Sequence, residues 1–321
     1  MDCFHEFDGH VFLMATGIVV RLISNVITHK SIDPAVVVMD EAGLNVISLL
    51  SGHIGGANAL TEQIAHISGA NPVISTATDI NQSPSIDMIA LKHELCIENY
   101  NGIKKINMAF LEQKPIWLYD PYFFLENAIN YEHIKRVDSI SHYSDLALDP
   151  IFVEAGIVVD DHIQTNMIQT NKPEDPTLYE APKNKFFENI LILRPPTLAV
   201  GIGCNRGTDV LEIKKFLEYV MNEANLSKKS IFTISTIDLK KDEAGLLSLS
   251  ETMKIPIQFF DKDRLNNVKN IQNPSEIVRK NIGVNSVCEA AAILASRQGK
   301  LIISKKKNQN VTIAVARRPF L

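Results

Sequence analysis

The chain has 321 residues, of which 45% are hydrophobic and 21% charged, a composition typical of a globular protein with an ample core. Its net charge of -5 gives no support to nucleic acid or a membrane surface as a partner. Apolar runs such as residues 11–20 are too short to cross a bilayer, and no leader with a cleavage site opens the chain. Four scattered cysteines without a C-x-x-C pair predict reduced thiols in the cytoplasm and argue against a zinc site.

The pattern of the first 95 residues predicts an N-terminal α/β domain. Residues 11–14 are typical of a strand, Thr16 lies in a small-residue turn with Gly17, and Arg21 follows in a helix. A parallel sheet rarely starts with so little chain before its first β–α unit. We therefore expect this domain to lack one such unit at its start.

The central feature of this domain is an apolar strand followed by a glycine-rich loop. The strand at residues 36–39 ends at Asp40 and Glu41, as expected of a buried strand that presents carboxylates at its end. A helix and a strand at residues 72–75 follow the loop, and Asp79 comes next. The loop itself contains Gly52, His53, Gly55, Gly56 and Asn58. This order predicts that the polar groups gather at one sheet edge, where open α/β sheets bind ligands.

The glycines of this loop have two interpretations. Glycines before a helix bring backbone N–H groups close to an anion, either a phosphate or a carboxylate. They also simply allow a helix to start close to the sheet. Neither G-x-G-x-x-G nor G-x-x-x-x-G-K-[ST] occurs, so the pattern supports nucleotide binding only weakly.

Residues 96–190 are predicted to form a smaller mixed middle segment with a linker. Helical spacing over residues 85–113 breaks near 99–102, strands are expected at 116–119 and 157–159, and the prolines at 173–182 indicate exposed linker. The neighbours Asp160, Asp161 and His162 are more typical of a solvated turn than of a ligand set.

Residues 191–321 are predicted to form a second α/β domain. A strand runs into the glycine loop of Cys204 and Arg206, and a second strand ends near Lys240. Asp209 is expected to cap the helix that follows the glycine loop, and Asn273 is expected to cap a later helix. Residues 286–289 are expected to form a capping box with Glu289. A hairpin closes the chain at 301–316. The predicted fold is therefore α/β, with two open, mostly parallel domains at the ends joined by the middle segment.

These motifs resemble the CbiG family of anaerobic cobalamin biosynthesis. The similar segments are MATGIVVR at 14–21, VVVMDEAG at 36–43, LSGHIGGAN at 50–58, STATD at 75–79, GIGCNRGT at 201–208, TIDLK at 236–240 and residues 286–292. The resemblance covers almost the whole chain, although family members usually carry one more β–α unit before the first motif. It implies hydrolysis of cobalt-precorrin-5A, a cobalt macrocycle that bears carboxylate arms and a δ-lactone. Water opens the lactone, and acetaldehyde then leaves.

The implied chemistry requires a base and donors for a developing oxyanion. We expect Glu41 or His53 as the base, and Asp40 or Asp79 as the carboxylate that orients the histidine. The competing structural roles are backbone hydrogen bonding for His53 and turn or helix capping for Glu41 and Asp79. The expected oxyanion or carboxylate donors are the N–H groups of Gly55 and Gly56. No protein metal site or cofactor is expected, because cobalt enters with the substrate.

A polycarboxylate substrate also requires local cations on an acidic chain. Arg21, Arg206 and Lys240 are the candidates, with a plain surface charge as the alternative. The remaining expected substrate contacts are Gly52, Asn58, Thr16 and Cys204, the last of which is equally well explained as a small buried thiol. The expected partner is the cobalt-corrinoid intermediate, with neighbouring pathway enzymes as further candidates.

Two other functions compete with this interpretation. A tetrapyrrole carrier would need the same cationic loops but no base, and it would release no acetaldehyde. A nucleotide-dependent enzyme would need an acid that grips a ribose and a complete phosphate-binding fingerprint, which the chain does not contain.

Overall fold

The computed structural model describes residues 3–29, 32–76, 83–126, 128–129, 131–137, 155–163 and 190–320. These residues form three open sheets flanked by helices, which confirms the predicted α/β class. Within these ranges, no helix is both long and apolar enough to span a membrane.

The N-terminal sheet has four strands in the order β1-β2-β3-β4 and a helix on each face. Its elements are β1 (Gly9–Leu13), α1 (Thr16–Ile23), β2 (Ala35–Met39), β3 (Asn45–Leu50), α2 (Ala57–Ser68) and β4 (Asn71–Val73). Strand β2 alternates between two cores: Val36 and Val38 pack with α1, whereas Ala35 and Val37 pack with α2. Burial on both faces explains why this strand is a continuous apolar run.

Strands β2 and β3 form an antiparallel hairpin, which reverses the chain direction within this sheet. The turn is closed by the Asp40 carboxylate, which accepts the N–H groups of Leu44 (3.0 Å) and Asn45 (2.7 Å), and by Gly43 at φ +67°. Strand β1 is parallel to β2, and β4 is parallel to β3. The C-terminal ends of β1 and β2 therefore lie at one edge of the sheet, and the C-terminal ends of β3 and β4 lie at the opposite edge.

The middle sheet has the strand order β5-β9-β8-β6-β7. Its elements are α3 (Ile86–Lys92), β5 (Cys96–Ile97), α4 (Asn101–Leu111), β6 (Ile116–Tyr119), β7 (Ile134–Arg136), β8 (Gly156–Val159) and β9 (Ile190–Arg194). The predicted break between two helices and the strands β6 and β8 are confirmed. The division of the chain into domains stays a prediction, and β9 pairs with β8 inside this sheet.

The C-terminal sheet has the order β12-β11-β10-β14-β13, in which β10, β11 and β12 are parallel and β13–β14 is the predicted hairpin. Its elements are β10 (Leu198–Cys204), α5 (Val210–Glu223), β11 (Ile231–Ile237), α6 (Ala244–Met253), β12 (Ile257–Phe260), α7 (Lys262–Asn266), α8 (Glu276–Ile282), α9 (Cys288–Ala295), β13 (Lys300–Lys307) and β14 (Val311–Arg317). Helix α9 lies directly on β10: a Cβ on Gly201 would sit 1.9 Å from the Cys288 carbonyl oxygen.

The helix caps of this unit match the predictions only in part. Asp209 caps α5 by accepting the Leu211 N–H at 2.8 Å, as predicted. Helix α8 begins at Glu276 after Ser275, so the expected Asn273 cap is wrong. The expected capping box with Glu289 is also wrong, because α9 begins at Cys288 without a side-chain cap. Both expectations fail because Glu289 and Asn273 bond to each other (2.9 Å) rather than to helix ends.

Candidate active site

The glycine loop between β3 and α2 is a tight turn whose shape depends on two unusual backbone positions. Ser51 has φ +57°, and Gly56 has φ +87°. The first N–H groups of α2 are used inside the loop, since Ala57 donates to the Ser51 carbonyl at 3.1 Å. A Cβ on Gly55 would lie 2.3 Å from the Ser51 Cβ and 3.1 Å from the Asp33 carbonyl oxygen. Gly55 is therefore required by close approach of the backbone.

Two of the predicted substrate contacts hold the loop together. The Asn58 Oδ1 accepts the Ser48 hydroxyl at 2.6 Å, and its Nδ2 donates to Thr76 Oγ1 at 3.1 Å. A Cβ on Gly52 would lie 2.6 Å from the same Asn58 oxygen. Asn58 thus joins β3 to the segment after β4, and Gly52 makes room for it.

His53 projects from this loop onto the middle sheet's helices. Its Nδ1 lies 3.1 Å from Asp87 Oδ2 and 3.3 Å from Ser85 Oγ, at the start of α3. The Asp87 side chain is 9% exposed, and the His53 side chain is 15% exposed. The neighbouring Ile54 packs against the hydrophobic core of the middle sheet. The histidine site is therefore built from two sheets of the molecule.

Asp87 is an ionised carboxylate at this site. Burial raises its pKa, but hydrogen bonds from His53, Ser85 and Asn107 outweigh burial, so the pKa of Asp87 lies below its usual range. An ionised carboxylate only accepts hydrogen bonds, so the Nδ1 of a neutral His53 carries the proton. The basic lone pair of that tautomer is then on Nε2. This arrangement suits a general base.

The two predicted oxyanion donors, the N–H groups of Gly55 and Gly56, differ in whether the loop itself already uses them. The Gly56 N–H donates to the His53 carbonyl oxygen at 2.9 Å, so this group is already used and the expectation for it is wrong. The Gly55 N–H has no acceptor among the described residues. Of the two predicted donors, the Gly55 N–H is therefore the one that remains to donate to a ligand oxygen.

The predicted gathering of the acids with His53 is wrong in the described part of the chain. Asp40 and Glu41 lie in the β2–β3 turn, at the edge of the sheet opposite to His53, because the hairpin reverses the chain. Thr16 is at the same remote edge as this turn, and Arg21 is exposed in the last turn of α1. Asp79 lies outside the described residues.

The C-terminal candidates do meet at the ends of two parallel strands. Arg206 donates to Asp242 Oδ1 and to the Leu239 carbonyl oxygen, both at 2.6 Å, while Lys240 donates to Glu243 at 2.8 Å. The Glu243 carboxylate also accepts the Gly207 N–H at 2.8 Å and is 3% exposed. Both cations are therefore neutralised within the protein.

Of these candidates, Arg206 is the one that solvent reaches, with 58% of its side chain exposed, whereas Lys240 is 13% exposed. Burial raises the pKa of Cys204, which keeps it a thiol and agrees with the structural interpretation of this residue.

The cluster of Asp160, Asp161 and His162 is not the solvated turn that its sequence suggests. The two aspartates are 4% and 0% exposed. Asp161 accepts bonds from Arg317 Nε and Nη2, each at 2.8 Å, from the Tyr122 hydroxyl at 3.1 Å, and from Thr197. Although the three residues lie close enough together to hold a metal ion, a guanidinium already neutralises Asp161. The cluster joins the middle sheet to the C-terminal sheet.

A cavity of about 630 Å³ opens beside the middle sheet, next to the start of α3 and the end of α4. It is bordered by Ser83, Pro84, Phe110, Leu111, Gln113, Tyr131, Glu132 and His133. The residues that bond to Asp87, which are His53, Ser85 and Asn107, do not line this cavity.

Sequence reasoning missed Asp87 and Asn107. An S-x-D pattern at the start of a helix, as at Ser85 and Asp87, ordinarily indicates a helix N-terminus and not a partner for a histidine 34 residues away. Asn107 lies inside α4, where an asparagine is unfavourable unless its side chain is used. A polar residue inside a helix with no evident role in the sequence is the signal that could have indicated Asn107.

Comparison with known proteins identifies relatives over the whole chain. Family models match in chain order: "Cobalamin synthesis G N-terminal" at residues 1–79, "Cobalamin biosynthesis central region" at 84–182, and "Cobalamin synthesis G C-terminus" at 198–316. A cobalt-precorrin-5A hydrolase of Priestia megaterium is 35% identical, over 99% of this chain and 80% of its own. A cobalt-precorrin-5A hydrolase of Salmonella typhimurium is 32% identical, over 98% of this chain and 83% of its own.

Among solved structures, the crystal structure of CobE, a protein from the cobalamin biosynthetic pathway, is 32% identical to this chain. The match covers 38% of this chain and 91% of the other, with a TM-score of 0.36.

Proposed function

The chain belongs to the CbiG family of cobalamin biosynthesis, and from this premise we propose that it is a cobalt-precorrin-5A hydrolase. The observation that carries the proposal is the 35% identity to a hydrolase of that name across 99% of the chain. The enzyme opens the δ-lactone of cobalt-precorrin-5A with water and releases acetaldehyde, which leaves cobalt-precorrin-5B. Cobalt is part of the substrate.

We further propose that the reaction takes place in the cytoplasm. The free thiols of Cys3, Cys96, Cys204 and Cys288 support this location, because secreted proteins usually oxidise theirs. The partner is the small cobalt-corrinoid, with neighbouring enzymes of the pathway as further candidates.

In the first step, we assign the general base to Nε2 of His53. The imidazole takes a proton from water as the water oxygen attacks the lactone carbonyl carbon. The C–O bond between the carbonyl carbon and the ring oxygen of the lactone then breaks, and the imidazolium returns the proton to the departing alkoxide. The products are a free carboxylic acid and a hydroxyl on the two-carbon arm. The oxyanion donor in this proposal is the Gly55 N–H, and its lack of an acceptor within the described residues supports this role.

The second step uses the same base. His53 removes the proton of the hydroxyl on the two-carbon arm, and the C–O bond of that hydroxyl becomes a carbonyl. The C–C bond between the arm and the macrocycle breaks at the same time, and its electron pair moves into the conjugated macrocycle. Acetaldehyde leaves, and the ring takes up a proton. Both steps need one group that alternates between base and acid near neutral pH, which is the property of histidine.

We assign substrate carboxylate binding to Arg206 rather than to Lys240. Arg206 is 58% exposed and its partner Asp242 is 75% exposed, so a substrate carboxylate can replace that surface ion pair. Lys240 is held by the buried Glu243.

The test is to incubate the protein with cobalt-precorrin-5A and to measure acetaldehyde with a coupled dehydrogenase while recording the corrinoid spectrum. The hydrolase should form one acetaldehyde for each substrate molecule. A carrier would bind the macrocycle and change its spectrum without forming acetaldehyde, and that result would overturn the proposal.

Substitution separates the two candidate bases. His53→Gln should lower kcat by about 10²- to 10⁴-fold, because the amide cannot take a proton. Glu41→Gln should have little effect, because Glu41 lies at the opposite edge of the N-terminal sheet. The matched control is His66→Gln, which changes an exposed histidine of α2 and should keep the full rate. Full turnover by His53→Gln would refute the assigned base without refuting the activity.

A further inference from the structure

We propose that Asp87, carried by the middle sheet's helix α3, is the positioning residue of His53, and that Asn107 fixes Asp87 in turn. This inference rests on the proposed function in that it gives a partner to the proposed base. It assigns to the middle part of the chain a role in catalysis that its motifs do not indicate.

Hydrogen bonds at both carboxylate oxygens fix Asp87. Asp87 holds Nδ1 of His53 at 3.1 Å with one carboxylate oxygen, Oδ2. Its other oxygen, Oδ1, accepts the Ser85 hydroxyl at 2.6 Å and the Asn107 Nδ2 at 3.0 Å. The carboxylate therefore cannot rotate without losing bonds at both oxygens. A fixed carboxylate fixes the plane and the tautomer of the imidazole that it holds.

Asn107 makes two hydrogen bonds to the first residues of α3. Its Oδ1 accepts the Ile86 N–H at 2.9 Å, one of the free N–H groups at the start of α3, while its Nδ2 donates to Asp87. One side chain thus fixes both the backbone before Asp87 and the carboxylate itself. An amide suits both contacts, because one contact needs an acceptor and the other a donor.

The negative charge of Asp87 acts on the imidazole of His53. Among the described residues that bond to Asp87, His53 is the one that can take up a positive charge, whereas Ser85 and Asn107 stay neutral. The negative charge of Asp87 is therefore directed at the imidazole. An imidazolium formed during proton transfer is stabilised by this charge, as in other carboxylate–histidine pairs.

Asp87→Asn is the direct test on the full-length enzyme. We expect kcat to fall by about 10²- to 10⁴-fold with KM nearly unchanged, since the amide permits the wrong tautomer. In addition, the acid limb of the kcat/KM profile should move to lower pH by about one unit, because the imidazolium loses its neighbouring negative charge. A merely structural role would lower the melting temperature and leave that limb in place.

Two milder variants keep the test decisive if Asp87→Asn does not fold. Asn107→Asp keeps the acceptor for the Ile86 N–H but replaces the donor to Asp87 with a repelling carboxylate, so kcat should fall by about 10- to 100-fold. Ser85→Ala removes the other donor to Asp87 and should have a smaller effect of the same kind. The matched control is Asp120→Asn, a buried aspartate of the same sheet that accepts the Leu125 N–H and makes no contact with His53. This control should leave the pH profile unchanged.

A measurement without substrate separates this inference from the proposed function. In protein labelled with ¹⁵N-histidine, the His53 signals, identified by their loss in His53→Gln, should show a protonated Nδ1 at neutral pH. Asp87→Asn should shift these signals toward the other tautomer. An unprotonated Nδ1 in the wild type, or unchanged signals in Asp87→Asn, would overturn the inference even if acetaldehyde is formed. The expected tautomers without acetaldehyde would instead overturn the proposed function alone.

Discussion

At the scale of single residues, the position of His53 depends on a carboxylate from a different sheet. The His53 Nδ1 lies 3.1 Å from Asp87 Oδ2, and the Asp87 side chain is 9% exposed. The carboxylate itself is not predictable: Asp40 is near in sequence but lies in the hairpin turn, whereas Asp87 comes from a different sheet's helix. Contacts between distant segments depend on how the sheets pack, and the spacing of residues along the chain carries no such information.

Gly55 provides a prediction at this scale. Gly55→Ala should destabilise the fold by about 1–3 kcal/mol and lower kcat, because the new Cβ would displace the loop that carries His53. The added carbon would lie 2.3 Å from the Ser51 Cβ, whereas a Cβ on Gly17 would contact nothing within 4 Å. Urea unfolding and the acetaldehyde assay measure the two effects.

The matched control for Gly55→Ala is Gly17→Ala in the first turn of α1. We expect this control to stabilise the protein slightly, because alanine restricts the unfolded chain and favours helix. If both substitutions changed stability in the same direction and by the same amount, close approach at Gly55 would not explain its presence.

At the scale of secondary structure elements, most of the fold follows from apolar periodicity, but one omitted strand changes the geometry of the predicted site. Residues 36–39, 116–119 and 157–159 are strands as predicted, because short apolar runs identify buried strands well. The strand β3 escapes this pattern, since its apolar run leads directly into the glycine loop. Because β3 is antiparallel to β2, its omission places Asp40 and Glu41 at the wrong edge of the sheet.

Glu289 gives a prediction about how elements are held together. This fully buried carboxylate accepts the N–H groups of Gln272, Asn273 and Lys305, and so it joins α9 to β13 and to the segment before α8. Burial raises the pKa of Glu289, but these hydrogen bonds outweigh burial and keep it below the usual range. The carboxylate therefore stabilises the fold above the pKa of an unfolded glutamate, and this contribution is lost as the pH falls.

We accordingly expect Glu289→Gln to lower the free energy of unfolding at pH 7 by about 1–3 kcal/mol, because the amide opposes N–H donors with N–H groups. The difference from wild type should shrink as the pH is lowered from about 5 to 3, when wild-type Glu289 takes up a proton. Glu212→Gln, at a partly exposed carboxylate of α5, serves as the comparison and should show a small difference at every pH. A difference for Glu289→Gln that stays constant with pH would contradict this explanation.

At the scale of the whole molecule, the three sheets are joined by polar contacts that the sequence did not reveal. His53 and Asp87 connect the N-terminal sheet to the middle sheet, and Asp161 and Arg317 connect the middle sheet to the C-terminal sheet. Aromatic stacking supports the second joint, with the rings of Tyr122 and Phe320 4.2 Å apart. Sequence patterns predict the sheets separately because periodicity reports which face of an element is buried, not which other sheet covers it.

The Asp161–Arg317 joint can be tested by removal of its guanidinium. Arg317→Met should lower the free energy of unfolding by about 3–5 kcal/mol, because it removes the guanidinium that neutralises the buried Asp161 carboxylate. Asp161 is fully buried, and the replacement keeps the length of the arginine stem while removing both N–H contacts to it. Differential scanning calorimetry is the suitable measurement, because loss of the joint should also separate one unfolding transition into two as the C-terminal sheet unfolds on its own.

Arg206→Met is the matched control, since Arg206 makes an ion pair of similar length with Asp242 on the surface of the same sheet. Water already solvates both partners of that surface pair, so its loss should leave the transition single and nearly unmoved. The double variant Asp161→Asn with Arg317→Met should regain part of the lost stability, because it removes the buried charge that the single change exposes. If the two arginine substitutions were equally harmful, or if the double variant were no more stable than Arg317→Met, the joint would depend on packing around Tyr122 and Phe320 and not on the buried ion pair.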